Sequence, residues 1–166
     1  MTRRIATWVS VLTAVVVLAG GFAGWAAVRA GEWRTPNAAL ADAAATGEVS
    51  EQVSAALKAV FSYDYGNLAR TERAAASVLV DDAVAQYRDT FAAAQRQAAE
   101  QKLIRTTAVK SLGVQDLRDG EARVLAFLDQ QTLNTVSGQQ TSSSAAVSVL
   151  ARKVDGSWKI ASLTPL

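Results

Sequence analysis

The stretch LIRTTAVKSLGVQDLRDGEARVLAFLDQQTLNT, residues 103–135, is where the period of the chain changes. Upstream of it, apolar residues recur at helical spacing. From Leu103 onward the sequence is rich in Val, Ile, Leu, Thr and Phe, the side chains that suit a pleated, half-buried surface. Segments 103–117 and 122–135 read as two strands, with Asp119-Gly120 between them where a tight hairpin needs residues that accept positive φ. Farther along, 144–154 and 157–163 read as two more strands around Asp155-Gly156, and 137–143 reads as a longer polar loop. Val124, Leu125, Ala126, Phe127 and Leu128 are apolar without alternation, which predicts a central strand with both faces at least partly covered.

Working back from this meander, three helical segments precede it. Thr35 is placed to cap a helix with Pro36 at its first position, and Ala-rich sequence runs on to about Tyr63. Val53, Leu57, Val60 and Phe61 form its apolar stripe, and Gly47 is a point where it could break in two. Ser62 to Asn67 reads as a turn, supplied with Asp, Gly and Asn. Leu68, Ala75 and Leu79 mark a second short helix. A third starts at Asp81-Asp82 and carries Val84, Tyr87, Phe91, Ala94 and Ala98 on one side. Helices first and strands after argue for α+β: helices packed on one face of a curved four-stranded antiparallel sheet.

At the other end, residues 5–28 form an uncharged, almost wholly apolar run bracketed by Arg3, Arg4 and Arg29. As a helix it is roughly 36 Å long, enough for a hydrocarbon core of about 30 Å. It reads as a transmembrane anchor. Trp8 and Trp25 lie near its two ends, where amphipathic rings settle at the headgroups, and Gly20 and Gly24 form a GxxxG spacing that admits a second helix. A cleaved secretory signal would have a shorter apolar core. Four residues before the run leave nothing to fold on their own side. The expected division is therefore a cytoplasmic amino terminus at 1–4, an anchor at 5–28, a juxtamembrane linker at 29–36 and an extracytoplasmic domain at 37–166.

Charge and composition exclude several functions. Of 17 Lys and Arg and 15 acids, Arg3, Arg4, Arg29, Arg34 and Glu32 flank the anchor, which leaves 13 basic against 14 acidic residues for the domain. A near-neutral domain gives no electrostatic support to a nucleic-acid partner. Cys and His are both absent. Disulfides, the usual zinc sites and any Ser-His or Cys-His pair are therefore out, and no metal or cofactor is expected.

Behind the anchor, Phe61-Ser62-Tyr63-Asp64-Tyr65, then Tyr87-Arg88-Asp89, then Phe127-Leu128-Asp129-Gln130-Gln131-Thr132 with Asn134, and finally Arg152-Lys153-Val154-Asp155-Gly156-Ser157-Trp158-Lys159-Ile160 follow in order. Taken together, these stretches resemble the Mce-associated membrane proteins of actinobacteria over nearly the whole chain. The resemblance implies a nuclear-transport-factor-2-like (NTF2-like) domain, a cystatin-like cone of helices on a curved sheet, held at the membrane by one helix. It also implies an accessory role in Mce complexes, envelope machines that import lipids such as fatty acids or sterols. Mce and permease proteins would be the partners, and the open sheet face would offer a surface for a homodimer.

Candidate pocket residues are Tyr63, Tyr65, Tyr87, Phe91, Phe127, Asp129 and Trp158. Each has a plainer use. Trp158 at the start of the last strand plugs a core, Tyr63 and Tyr65 pack at a turn, and Phe91 and Phe127 are core aromatics. Two function classes follow. One is a non-catalytic, membrane-anchored assembly or stabilising subunit of a lipid importer. The other is a cavity domain that binds or isomerises an apolar small molecule, with a Tyr donor and an Asp base; this requires an open apolar pocket that holds Asp129 near Tyr63 or Tyr65.

Overall fold

In the computed structural model, which describes residues 37–166, α1 (Ala38–Ala41) and α2 (Ala43–Phe61) lead into β1 (Tyr63–Asp64). A 3-10 turn at Tyr65–Asn67, α3 (Leu68–Val78) and α4 (Asp82–Gln101) follow. The chain then forms a meander of β2 (Leu103–Arg118), β3 (Glu121–Asn134), β4 (Gln140–Val154) and β5 (Ser157–Pro165). The sheet is antiparallel throughout, in the order β1-β2-β3-β4-β5. Register shifts at Val109/Ser111 and Val114/Asp116 of β2, and at Leu150/Ala151 of β4 against β5, add twist and curl it.

The α+β class holds, with four corrections. The sheet has five strands, because Tyr63 and Asp64, read as part of a turn, pair with Arg105 and Ile104. Gly47 does not interrupt α2; the break falls at Asp42, which is extended and whose carboxylate accepts from Ala45 N at 2.9 Å as an N-cap. Gln140 to Ser143, read as loop, already belong to β4 and pair with Leu133 back to Gln130, because a long β3 offers them a ladder. Phe127 is 46% exposed and not a core residue. β3 is central, yet only one of its faces is buried, so its apolar run spans a covered and an open side. The Thr35-Pro36 cap and the anchor at 5–28 lie outside the described residues; among those described, no helix is long and apolar enough to cross a membrane.

The two hairpins behave as read. Asp119 and Gly120 take φ of 52° and 75°, and Asp155 and Gly156 take 50° and 78°, the paired left-handed conformation of a two-residue turn.

Val49, Val53, Ala56, Leu57 and Val60 lie along one stripe of α2. They pack into the buried face of the sheet, against Val124, Ala126 and Leu128 of β3, Val147, Val149 and Ala151 of β4 and Ile160 of β5. Side chains reaching from the helical layer bond some backbone groups on both long edges of the sheet. On β2, Asn37 accepts from Leu117 N (2.9 Å) and donates to Gln115 O (2.9 Å), while Ser62 Oγ accepts from Thr107 N (3.0 Å). On β5, Gln52 accepts from Trp158 N (2.7 Å) and Gln86 from Leu163 N (2.9 Å). At these positions the edge groups are no longer free to template another strand.

Leu57→Ala should lower unfolding free energy by about 2–5 kcal/mol, the usual cost of a buried Leu truncation. Phe127→Ala, on the open face, should cost about 1 kcal/mol or less. Urea unfolding of both variants checks the assignment of faces; equal losses would contradict it.

Candidate functional site

Where α2 ends, the concave face of the sheet is left without a helical plug, and a cavity of about 540 Å³ opens there. Gln86, Tyr87, Thr90, Phe91 and Ala94 of α4 recur at helical spacing and form one wall. Val60 and Phe61 close the end nearest the core, Tyr63 of β1 and Arg105 of β2 form one side, and Leu163 and Pro165 of β5 the other. Leu128, Gln130, Ala145 and Val147 are the floor. Even-numbered residues of β3 face this floor and odd-numbered ones face away, the consequence of strand pleating.

That parity separates the residues read from sequence. Tyr63, Tyr87 and Phe91 come together on the cavity: Tyr87 stacks on Phe91 at 4.7 Å, and Tyr63 meets Phe91 edge-on at 6.4 Å. Tyr65 packs beside the Tyr63–Phe91 cluster under Lys102 Nζ, 5.3 Å from its ring, and does not line the cavity. Phe127 and Asp129 are on the opposite face of the sheet, so the expected juxtaposition of Asp129 with a tyrosine does not occur. Asp129 accepts from Ser144 Oγ at 2.9 Å and pairs with Lys110 at 3.2 Å; these two partners, Ser144 first, hold its carboxyl below the usual carboxylate range. It is an ionised surface acid and not a poised base. Trp158 is 6% exposed, belongs to the main core and lies under Lys153 Nζ at 5.7 Å, away from the cavity. The Asp81-Asp82 helix start uses Asp81 to hold Arg152 at 2.7 Å.

Arg105 is the cavity residue that sequence reading passed over. Its Nε donates to Thr132 Oγ1 at 3.0 Å and its guanidinium lies 5.2 Å from the centre of the Tyr63 ring. The available signal was register: Leu103, Arg105, Thr107 and Val109 alternate onto one face, and an Arg set between Leu103 and the buried Thr107 belongs to the inner surface.

Tyr87 separates the cavity from a smaller groove between α3 and α4, lined by Ala75, Leu79 and Val84. Its hydroxyl is hidden from water and has no hydrogen-bond partner among the described residues. Burial, and secondarily Glu72, push its pKa well above the ordinary phenol range, so the ring stays neutral. Because no bond is lost, Tyr87→Phe should leave stability unchanged or raise it by about 1 kcal/mol. A fall in melting temperature would mean that the hydroxyl has a partner in solution.

No family model matches the sequence. Among solved structures, an IcmL-like type IV secretion system protein from Legionella pneumophila superposes with a TM-score of 0.62 at 13% identity, covering 74% of this chain and 93% of that one. A periplasmic fragment of TraM gives 0.61 at 13% identity, with 72% and 96% covered. CagV, a VirB8 homolog of the type IV secretion system of Helicobacter pylori, gives 0.61 at 11% identity, also with 72% and 96% covered. At such identities the likeness is one of fold: a curled five-stranded antiparallel half-barrel backed by helices, of the NTF2-like kind. Sequence relatives are found in Mycobacterium tuberculosis. The uncharacterized proteins MT1407 of strain CDC 1551 and Rv1362c of strain H37Rv are each 30% identical over 157 residues, which is 94% of this chain and 70% of theirs. With that identity sustained over nearly its whole length, the chain belongs to the family of these two mycobacterial proteins.

Proposed function

We propose that the protein is a non-catalytic, membrane-anchored accessory subunit that assembles or stabilises an Mce-type lipid-import complex in the cell envelope. The observation that carries this reading is the pairing of an apolar run of membrane-spanning length with a fold that parts of envelope machinery use. Two of the three similar structures belong to type IV secretion systems and the third is a periplasmic fragment. The ordered stretches from Phe61 to Ile160 that resemble Mce-associated proteins supply the choice of machine. The isomerase alternative loses Asp129 as its base, because that carboxylate lies outside the cavity and carries a lowered pKa.

In this reading the helix at 5–28 makes one contact, through Gly20 and Gly24, because close backbone approach supplies the association energy that lipid does not. The domain makes a second, and shared residence in the membrane raises the effective concentration of each for its partner.

Deleting the gene should reduce the abundance of Mce and permease proteins together with lipid uptake, measured by quantitative proteomics and labelled-lipid accumulation. Unchanged abundance would sink the proposal. Gly20→Leu with Gly24→Leu should preserve insertion while weakening co-purification. Protease added to wall-stripped cells should degrade residues 37–166; full protection would reverse the topology.

A further inference from the structure

Of the thirteen Lys and Arg among the described residues, Lys110, Arg118, Arg152 and Lys153 hold a carboxylate within 4 Å, and all four are exposed. Arg105 holds none, and its position sets it apart. It is half-buried on the cavity wall, and its two partners are neutral: Thr132 Oγ1 on Nε and the face of Tyr63. These fix the plane of the guanidinium while leaving its two terminal amino groups without a hydrogen bond among the described residues. An oriented guanidinium of this kind is built to take two parallel bonds from a carboxylate. Those amino groups are not buried and lie on the cavity lining, so an anionic ligand can replace the water that meets them.

The rest of the cavity selects the remainder of the ligand. Phe61, Phe91, Leu128, Val147 and Leu163 make it mostly apolar, and its volume of about 540 Å³ falls in the range of small-molecule sites. Asp89 is the other charged group on the lining. Arg105 is the single cation on the lining, so the cavity offers one positive charge, which suits a monoanion better than a dianion such as a phosphate monoester. We infer that the cavity is a binding site for an apolar monocarboxylate, its carboxylate on Arg105 and its hydrocarbon along Phe91 and Leu128. Binding here does not depend on the proposed accessory role.

The test uses the full chain in lipid nanodiscs and a dodecanoate carrying a mid-chain diazirine, crosslinked by light and mapped by mass spectrometry. Labels should fall on peptides of α4 and β4. Dodecanoate should compete at least tenfold better than dodecanol or dodecylamine, and affinity should rise about threefold to fourfold per added methylene. Arg105→Gln should weaken labelling about tenfold or more. Ala145→Phe, which fills the floor from a position with little packing of its own, should abolish labelling while leaving the circular dichroism spectrum and melting temperature unchanged. Equal competition by the alcohol or amine, or labelling indifferent to both substitutions, would overturn the inference and assign the signal to partition of the probe into lipid.

Discussion

The contact between one stripe of α2 and the concave face of the sheet is the constraint on which the remaining structure depends. Val49, Val53, Leu57, Val124 and Val149 are all fully buried, and the long-range part of the fold converges on them. A curled sheet must bury one face to be stable, and α2 is the element of the helical layer that runs over its centre. The apolar transfer energy is non-directional, so it does not set the register of helix on sheet. Thr107 does. Its hydroxyl donates to Phe61 O at 2.9 Å and its N–H to Ser62 Oγ at 3.0 Å, so the end of α2 is pinned to one residue of β2. Thr107 is itself buried, which makes these bonds obligatory and not merely available.

From that pin the positions of the smaller elements follow. Ser62 ends α2 in an extended conformation, and the next two residues continue as β1 beside β2. Helix α3 then crosses back, and Val80 N donates to Ile160 O on β5 at 2.9 Å, so the chain is tied to the opposite edge before α4 begins. Helix α4 therefore bridges the two sides of the sheet beyond the reach of α2. The cavity is the space beneath that bridge.

Features carried by local backbone chemistry were legible in the sequence. Asp-Gly pairs specify a two-residue turn wherever they fall, and the helical spacing of Val53, Leu57 and Val60 needs no tertiary information to be recognised. Features decided by distant partners were not. Tyr63-Asp64 has the composition of a turn and becomes a strand only because β2 presents Ile104 and Arg105 beside it. Gln140 to Ser143 are polar and gain nothing from burial; they extend because β3 offers backbone partners, with Gln140 Nε2 reaching Gln131 Oε1 at 2.9 Å. Phe127 misled for a related reason. A continuous apolar run does not say which face is covered, and across the strands Phe127 meets Ser111 and Ala146, neighbours too small to shield it. The site suffered most, since the same parity that placed Leu128 inside sent Asp129 out, and the alternation that carries Arg105 inward with Leu103 and Thr107 went unused.

The cavity owes its volume to side-chain size as much as to helix placement. Ala94 on α4 and Ala145 on β4 are its small wall residues, at positions where a Leu or Ile would fit the periodicity of their elements equally well. Interiors otherwise pack to crystal-like density, as the stripe of α2 does on β3. The cleft is open to solvent on one side, and larger side chains at Ala94 and Ala145 would fill it. A concave, mostly apolar cleft with a fixed guanidinium on its wall is the usual form of a small-molecule site. The proposed accessory role gives a use to the rigid sheet but none to this cleft, whereas the proposed ligand does.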